Sequence, residues 1–104
     1  MPQAEIRWSP QARTDLLDLY VLIGRDSPGA AEQVFNRIET KIARLSDHPR
    51  LGVRRSDIRS TLRMLIEGSY LILYHTQPNS DDGAIGIVEI VRIVDGRRDL
   101  STLL

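Results

Sequence analysis

The order of hydrophobic patterns constrains this chain most. Two stretches with helical spacing lie back to back, and three stretches of strand character follow them. The first begins at Ser9-Pro10, a side-chain cap followed by proline at the first helical position. Its apolar residues Ala12, Leu16, Leu19, Tyr20 and Ile23 recur at helical period and predict a buried stripe over about Pro10 to Ile23, with Gly24 as the stop. Ser27-Pro28 repeats the device. Ala31, Val34, Phe35, Ile38, Ile42 and Leu45 then predict a second helix from Pro28 to Leu45, which His48-Pro49 ends. The link between the two is too short for anything except an antiparallel hairpin.

The rest of the apolar content falls in strands. Ala4 to Trp8 reads as a short strand with Ile6 and Trp8 on one face. Thr61 to Ile66, Tyr70 to Thr76 and Ala84 to Val94 read as three more, joined by turns at Gly68 and at residues 77–83. The last is apolar on both faces, which predicts an interior strand. Residues 52–60 read as an exposed basic connection, and the tail from Arg97 to Leu104 as one short helical turn. The expected fold is α+β, in the order β-α-α-β-β-β: an N-terminal strand, and a helical hairpin on a small, mostly antiparallel sheet. At 104 residues, a single domain spanning 1–104 is the expectation.

Composition removes several function classes. There is no cysteine, which excludes a disulfide, a thiolate metal site and a cysteine nucleophile. No cofactor or metal is expected. Fourteen basic residues balance fourteen acidic ones, so a globally basic nucleic-acid binder is not favoured. Nothing in Met1 to Trp8 resembles a signal peptide, and no apolar run approaches the roughly 20 residues of a membrane span. A cytoplasmic location is the expectation. The charge is unevenly placed: Arg50, Arg54, Arg55, Arg59 and Arg63 face a single acid, Asp57, in one segment.

Several pieces, taken together and in order, carry a family resemblance. They are Trp8-Ser9-Pro10-Gln11-Ala12 with Asp15-Leu16, then Ser27-Pro28-Gly29-Ala30-Ala31, then Leu45 to Gly52 with its Pro49. Arg63 follows, ahead of Tyr70 and Tyr74, and Val91-Arg92-Ile93-Val94-Asp95-Gly96-Arg97-Arg98-Asp99 closes the set. The chain resembles the ParE branch of the RelE/ParE toxins of bacterial toxin–antitoxin systems. Asp95 departs from the histidine that many relatives place before the glycine–arginine pair. The resemblance implies a helical hairpin on a small sheet and a heteromeric complex with a ParD-like ribbon-helix-helix antitoxin. It also implies inhibition of DNA gyrase, with no sequence-specific DNA binding by the toxin alone. RelE-type relatives are instead ribosome-dependent messenger-RNA endonucleases.

The candidate site residues follow. A nuclease needs a base, a phosphate-binding cation and an acid. His48 reads as a solvated loop residue and His75 as an exposed strand end, so no catalytic residue is assigned. The alternative endonuclease would use Arg54, Arg55, Arg63 and His75. Strand arginines need partners, and Glu67 or Asp99 is expected to pair with Arg92. A target-binding patch is expected from Arg63, Arg92, Arg97 and Arg98. Leu17, Val21 and Leu22 leave the first helix apolar nearly all round at its end. With Trp8 they are expected to form a groove for an antitoxin helix.

Overall fold

β1 (Glu5–Trp8) lies parallel to the final strand, β5 (Ile87–Asp95), and this one pairing dictates the layering. Parallel neighbours cannot be joined by a tight turn. The chain between them instead carries α1 (Pro10–Gly24) and α2 (Pro28–Ala43), then β2 (Val53–Arg54), β3 (Arg63–Glu67) and β4 (Tyr70–Gln77). The sheet order is β1-β5-β4-β3-β2, antiparallel except at β1–β5. These elements come from a computed structural model, which describes residues 3–97. The expected tail turn and Arg98 lie outside the described residues.

Both caps form as the sequence implies. Ser9 Oγ accepts from the Ala12 amide at 3.0 Å and Ser27 Oγ from the Ala30 amide at 3.2 Å, each with proline next. α2 ends at Ala43, two residues before the expected Leu45, and passes into a 3-10 turn over Arg44–Ser46. Ala12, Leu16, Ile38, Ile42 and Leu45 pack on Leu65, Ile72, Tyr74, Val88, Ile90 and Ile93 from one face of the sheet. β5 is an interior strand, as its two apolar faces require. It begins at Ile87, later than the expected Ala84.

Two expectations need correction. Tyr20 is not buried: it is 39% exposed and meets Phe35 of α2 edge-on, with ring centroids 5.7 Å apart. Its position lies toward the hairpin seam rather than over the sheet. Residues 52–60 are also more than a connection. Val53 and Arg54 form an edge strand on β3, and Ile58 packs against Leu62, Leu73 and Val94 on the sheet face away from the helices. A two-residue strand is too short to show alternation, which is why the sequence concealed it.

Gly52 opens β2 in a space where no side chain fits. A Cβ there would stand 2.7 Å from the Tyr74 ring and 2.8 Å from the Met64 carbonyl. The Tyr74 hydroxyl uses this closeness, accepting from the Gly52 amide at 2.8 Å and donating to the Pro49 carbonyl at 2.9 Å. Gly52→Ala should therefore destabilise by about 1–3 kcal/mol, the usual cost of overpacking. Denaturant melting indistinguishable from wild type would contradict this contact. Ile38→Asp places an unpaired charge at a fully buried position, and should abolish cooperative unfolding because the cost approaches total stability.

Candidate functional site

β1 stops at Trp8, so β5 loses its strand neighbour on that side beyond Ile90. The start of α1 takes its place. The Ser9 amide donates to the Ile90 carbonyl at 2.9 Å, and Ser9 Oγ donates to the Val91 carbonyl at 2.9 Å. Asp15 Oδ2 then accepts from the Ile93 amide at 2.9 Å. Arg92 grips the same carboxylate with two contacts, Nε to Oδ2 at 2.8 Å and Nη2 to Oδ1 at 3.1 Å. Gln11 adds a third donor at 3.0 Å. Arg92 therefore pairs with Asp15 of α1, rather than with the expected Glu67. Glu67 sits opposite Tyr70, three registers along the sheet from Arg92, and Asp99 lies outside the described residues. A separation of 77 residues left no local signal for the pair.

Burial pushes the Asp15 carboxyl up. The Arg92, Ile93 and Gln11 hydrogen bonds and the Arg92 charge more than offset that, and the group is held below the ordinary carboxylate value.

Anchored in this way, α1 turns its remaining apolar residues to solvent. Leu17, Val21 and Leu22 are 60%, 56% and 60% exposed. They do not line one groove with Trp8. Trp8 is half-buried against the core, with the Arg13 guanidinium over its ring at 5.8 Å, and it shares a hollow of about 200 Å³ with Leu17 and Phe35. Leu22, two helical turns beyond Asp15, lines a separate hollow of about 450 Å³ over Leu19, Ile93, Asp95 and Arg97. Leu17 also borders a hollow of about 420 Å³ with Tyr20 and Phe35, and Val21 and Leu22 one of about 330 Å³, so the exposed face is a ridge with hollows on both flanks of α1.

The arginines likewise divide. Arg97 is highly exposed and pairs with Asp95 at 2.8 Å, close to the depression that Asp15 also lines. Arg63 does not join it. It lies opposite Tyr74, at the other end of β3 from Glu67 and four strand residues away, roughly 13 Å. There it is buried beside Arg54 and Asp81. Arg54 and its charge, with smaller contributions from the charges of Arg63 and Arg50, hold the Asp81 carboxyl below its usual range.

Of the groups expected for the endonuclease alternative, Arg54 and Arg63 come together, but His75 and Arg55 are held elsewhere. Arg63 and Tyr74 face the helical side of the sheet. His75 is the next residue and, by strand alternation, projects from the other side. There it meets Glu89, with Nε2 to Oε1 at 2.7 Å. Arg55 is held by Asp57 at 2.9 Å and by the Met64 sulfur. His48 is exposed in its turn. Among the described residues no three histidine or carboxylate side chains gather as a metal site would require, and no helix is long and apolar enough to cross a membrane.

A helical hairpin on one face of a mixed five-stranded sheet is shared with toxin–antitoxin systems of known structure. A chain of the chromosomal ParDE system of P. aeruginosa superposes with a TM-score of 0.70 over 89% of this chain and 96% of that one, at 19% identity. A chain of the RelBE2 toxin–antitoxin complex of Mycobacterium tuberculosis superposes with a TM-score of 0.56, at 26% identity, over 91% of this chain and 99% of that one. In sequence, residues 6–100 match the family described as ParE toxin of type II toxin–antitoxin system, parDE. Toxin ParE3 of Caulobacter vibrioides is 42% identical over 74 residues, covering 71% of this chain and 67% of that protein. The chain belongs to the ParE toxin family of type II toxin–antitoxin systems.

The Asp15 contact makes a pH-dependent prediction. A carboxyl lowered by folding contributes its full stability above its unfolded value, about 4, and loses it as pH falls through the folded value. Asp15→Ala should cost about 3 kcal/mol at pH 7, as breaking a buried pair does. The difference from wild type should shrink below pH 4. A difference independent of pH would remove the ionised carboxylate from the account.

Proposed function

We propose that this toxin acts by docking on DNA gyrase and blocking replication, and that a ParD-like antitoxin neutralises it by covering the exposed ridge of α1. The observation that carries the reading is that ridge. Leu17, Val21 and Leu22 stand in solvent on a helix whose opposite face is already committed to the core. Contiguous exposed apolar surface of this kind marks an interaction site. An amphipathic helix is its natural complement, with side chains entering the hollows on either flank. Pairing with an antitoxin is in keeping with the ParDE and RelBE2 systems that share the fold.

The gyrase half rests on family membership. Support for binding over hydrolysis comes from the separation of His75 from the Arg54–Arg63 row, since His75 projects from the other side of the sheet and meets Glu89 there. Arg97 is a highly exposed cation, and Arg98 follows it in sequence.

One experiment separates the mechanisms. Purified toxin is incubated with gyrase, ATP and plasmid, and in parallel with translating ribosomes and message. Linearised plasmid or lost supercoiling is expected, with intact message. Codon-registered cleavage of the message with gyrase unaffected would overturn the proposal. Leu17→Asp with Val21→Asp should leave folding intact and weaken antitoxin binding by at least about tenfold, a loss of about 1.4 kcal/mol. Charge reversal at Arg97 and Arg98 should reduce gyrase inhibition more than antitoxin binding. Unchanged inhibition would exclude that patch.

A further inference from the structure

Register places Arg54 of β2 directly across from Arg63 of β3, and Arg63 directly across from Tyr74 of β4. Like charges facing each other across an antiparallel pair repel. One atom offsets this repulsion: Asp81 Oδ1 lies 2.8 Å from Arg54 Nε and 3.4 Å from Arg63 Nη2. Arg50 reaches the same loop, donating to the Ser80 carbonyl at 3.2 Å and to the Gly83 carbonyl at 2.9 Å. Three guanidinium groups thus converge on residues 79–83: Arg54 and Arg63 share the Asp81 carboxylate, and Arg50 holds the loop by the Ser80 and Gly83 carbonyls.

They are not equally satisfied. Arg54 has short bonds to Asp81 and to Asn79 Oδ1, the latter at 2.9 Å. Arg63 is only 5% exposed, yet its two contacts, to Asp81 and to the Gly52 carbonyl, are both 3.4 Å. Its Nε has no partner among the described residues. Keeping a buried guanidinium with long bonds and an orphaned donor is costly, and an apolar side chain would serve the sheet better. Asp81 is a weak fixture, since its side chain is 81% exposed. The floor beneath is firm, because Tyr74 ties Pro49 and Gly52 together.

We propose that Arg50, Arg54 and Arg63 form a cradle for a phosphate group, and that Asp81 occupies it in the free toxin as an internal stand-in that the phosphate displaces. Two guanidinium groups on one exposed carboxylate, with a third held only by neutral loop oxygens, leave positive charge unspent. Each guanidinium is a planar fork of donors, and a tetrahedral phosphate offers more acceptor oxygens than one carboxylate can. The Arg63 Nε is the donor in need of one. His75 projects from the opposite face, so it takes no part in the cradle. The cradle stands whether or not gyrase is the target.

The test titrates inorganic phosphate into the full-length toxin at constant ionic strength, with chloride as control, following the Gly52 and Gly83 amides by NMR. Wild type should bind phosphate, and Asp81→Asn should bind it about tenfold tighter, the gain expected from removing a competing anion. Adding Arg54→Gln to Asp81→Asn should abolish that gain. Phosphate behaving like chloride, no gain in Asp81→Asn, or a gain that survives Arg54→Gln would each overturn the cradle. Should Asp81→Asn fail to fold, wild type decides. Binding lost in Arg54→Gln supports the site, and binding retained there overturns it. A short single-stranded oligonucleotide identifies the source. Competition with inorganic phosphate assigns a nucleic-acid backbone, and lack of competition assigns a free phosphate.

Discussion

The carboxylate of Asp15 does the work of a missing strand. Where β1 ends, the Ile93 amide of β5 would face the underside of a helix with no backbone acceptor. Asp15 supplies the oxygen at 2.9 Å, and Arg92 neutralises the charge that this brings into a largely buried place. Ser9 performs the first part of the same task, capping α1 while bonding to Ile90 and Val91. The rotation of α1 about its own axis is thereby fixed. Ala12 and Leu16 must face the sheet, and Leu17 and Val21 must face away from it.

That rotation links the fold to the function. A helix free to roll would bury its broadest apolar face and present polar residues to solvent. Here the polar Asp15 is drawn inward by the edge of β5, and apolar surface is left outside as a consequence. The exposed ridge follows from how the sheet edge is satisfied, and it is available to a partner without rearrangement of the core. The second charged region obeys different physics. Arg54 and Arg63 are forced together by register alone, and a single loop carboxylate restrains them.

Much of this was legible in the chain. Ser9-Pro10 and Ser27-Pro28 announced both helices, and the periodicity of Ala31, Ile38 and Ile42 gave the buried face of the second. The two-sided apolar character of β5 foretold an interior strand. The surplus of Leu17, Val21 and Leu22 foretold an exposed apolar face, although not its division into a ridge with hollows on both flanks. That division depends on where β5 and Phe35 lie against α1. What stayed hidden was long-range and polar. Asp15 reads locally as an ordinary helix-surface acid, and its partner is set by where β1 stops. Val53-Arg54 is too short to alternate. The convergence of Arg50, Arg54 and Arg63 on Asp81 requires the β2–β3 register, which no local pattern encodes.

The claim that Asp15 completes the open edge of β5 is most directly tested by amide hydrogen exchange at Ile93 in the unmodified toxin at neutral pH. On this account the Ile93 amide exchanges as slowly as those of the interior strands, because the carboxylate keeps it from water. Exchange at the rate of an unprotected amide, with the interior strands still protected, would mean that the helix is not fastened there and that its exposed face has some other cause.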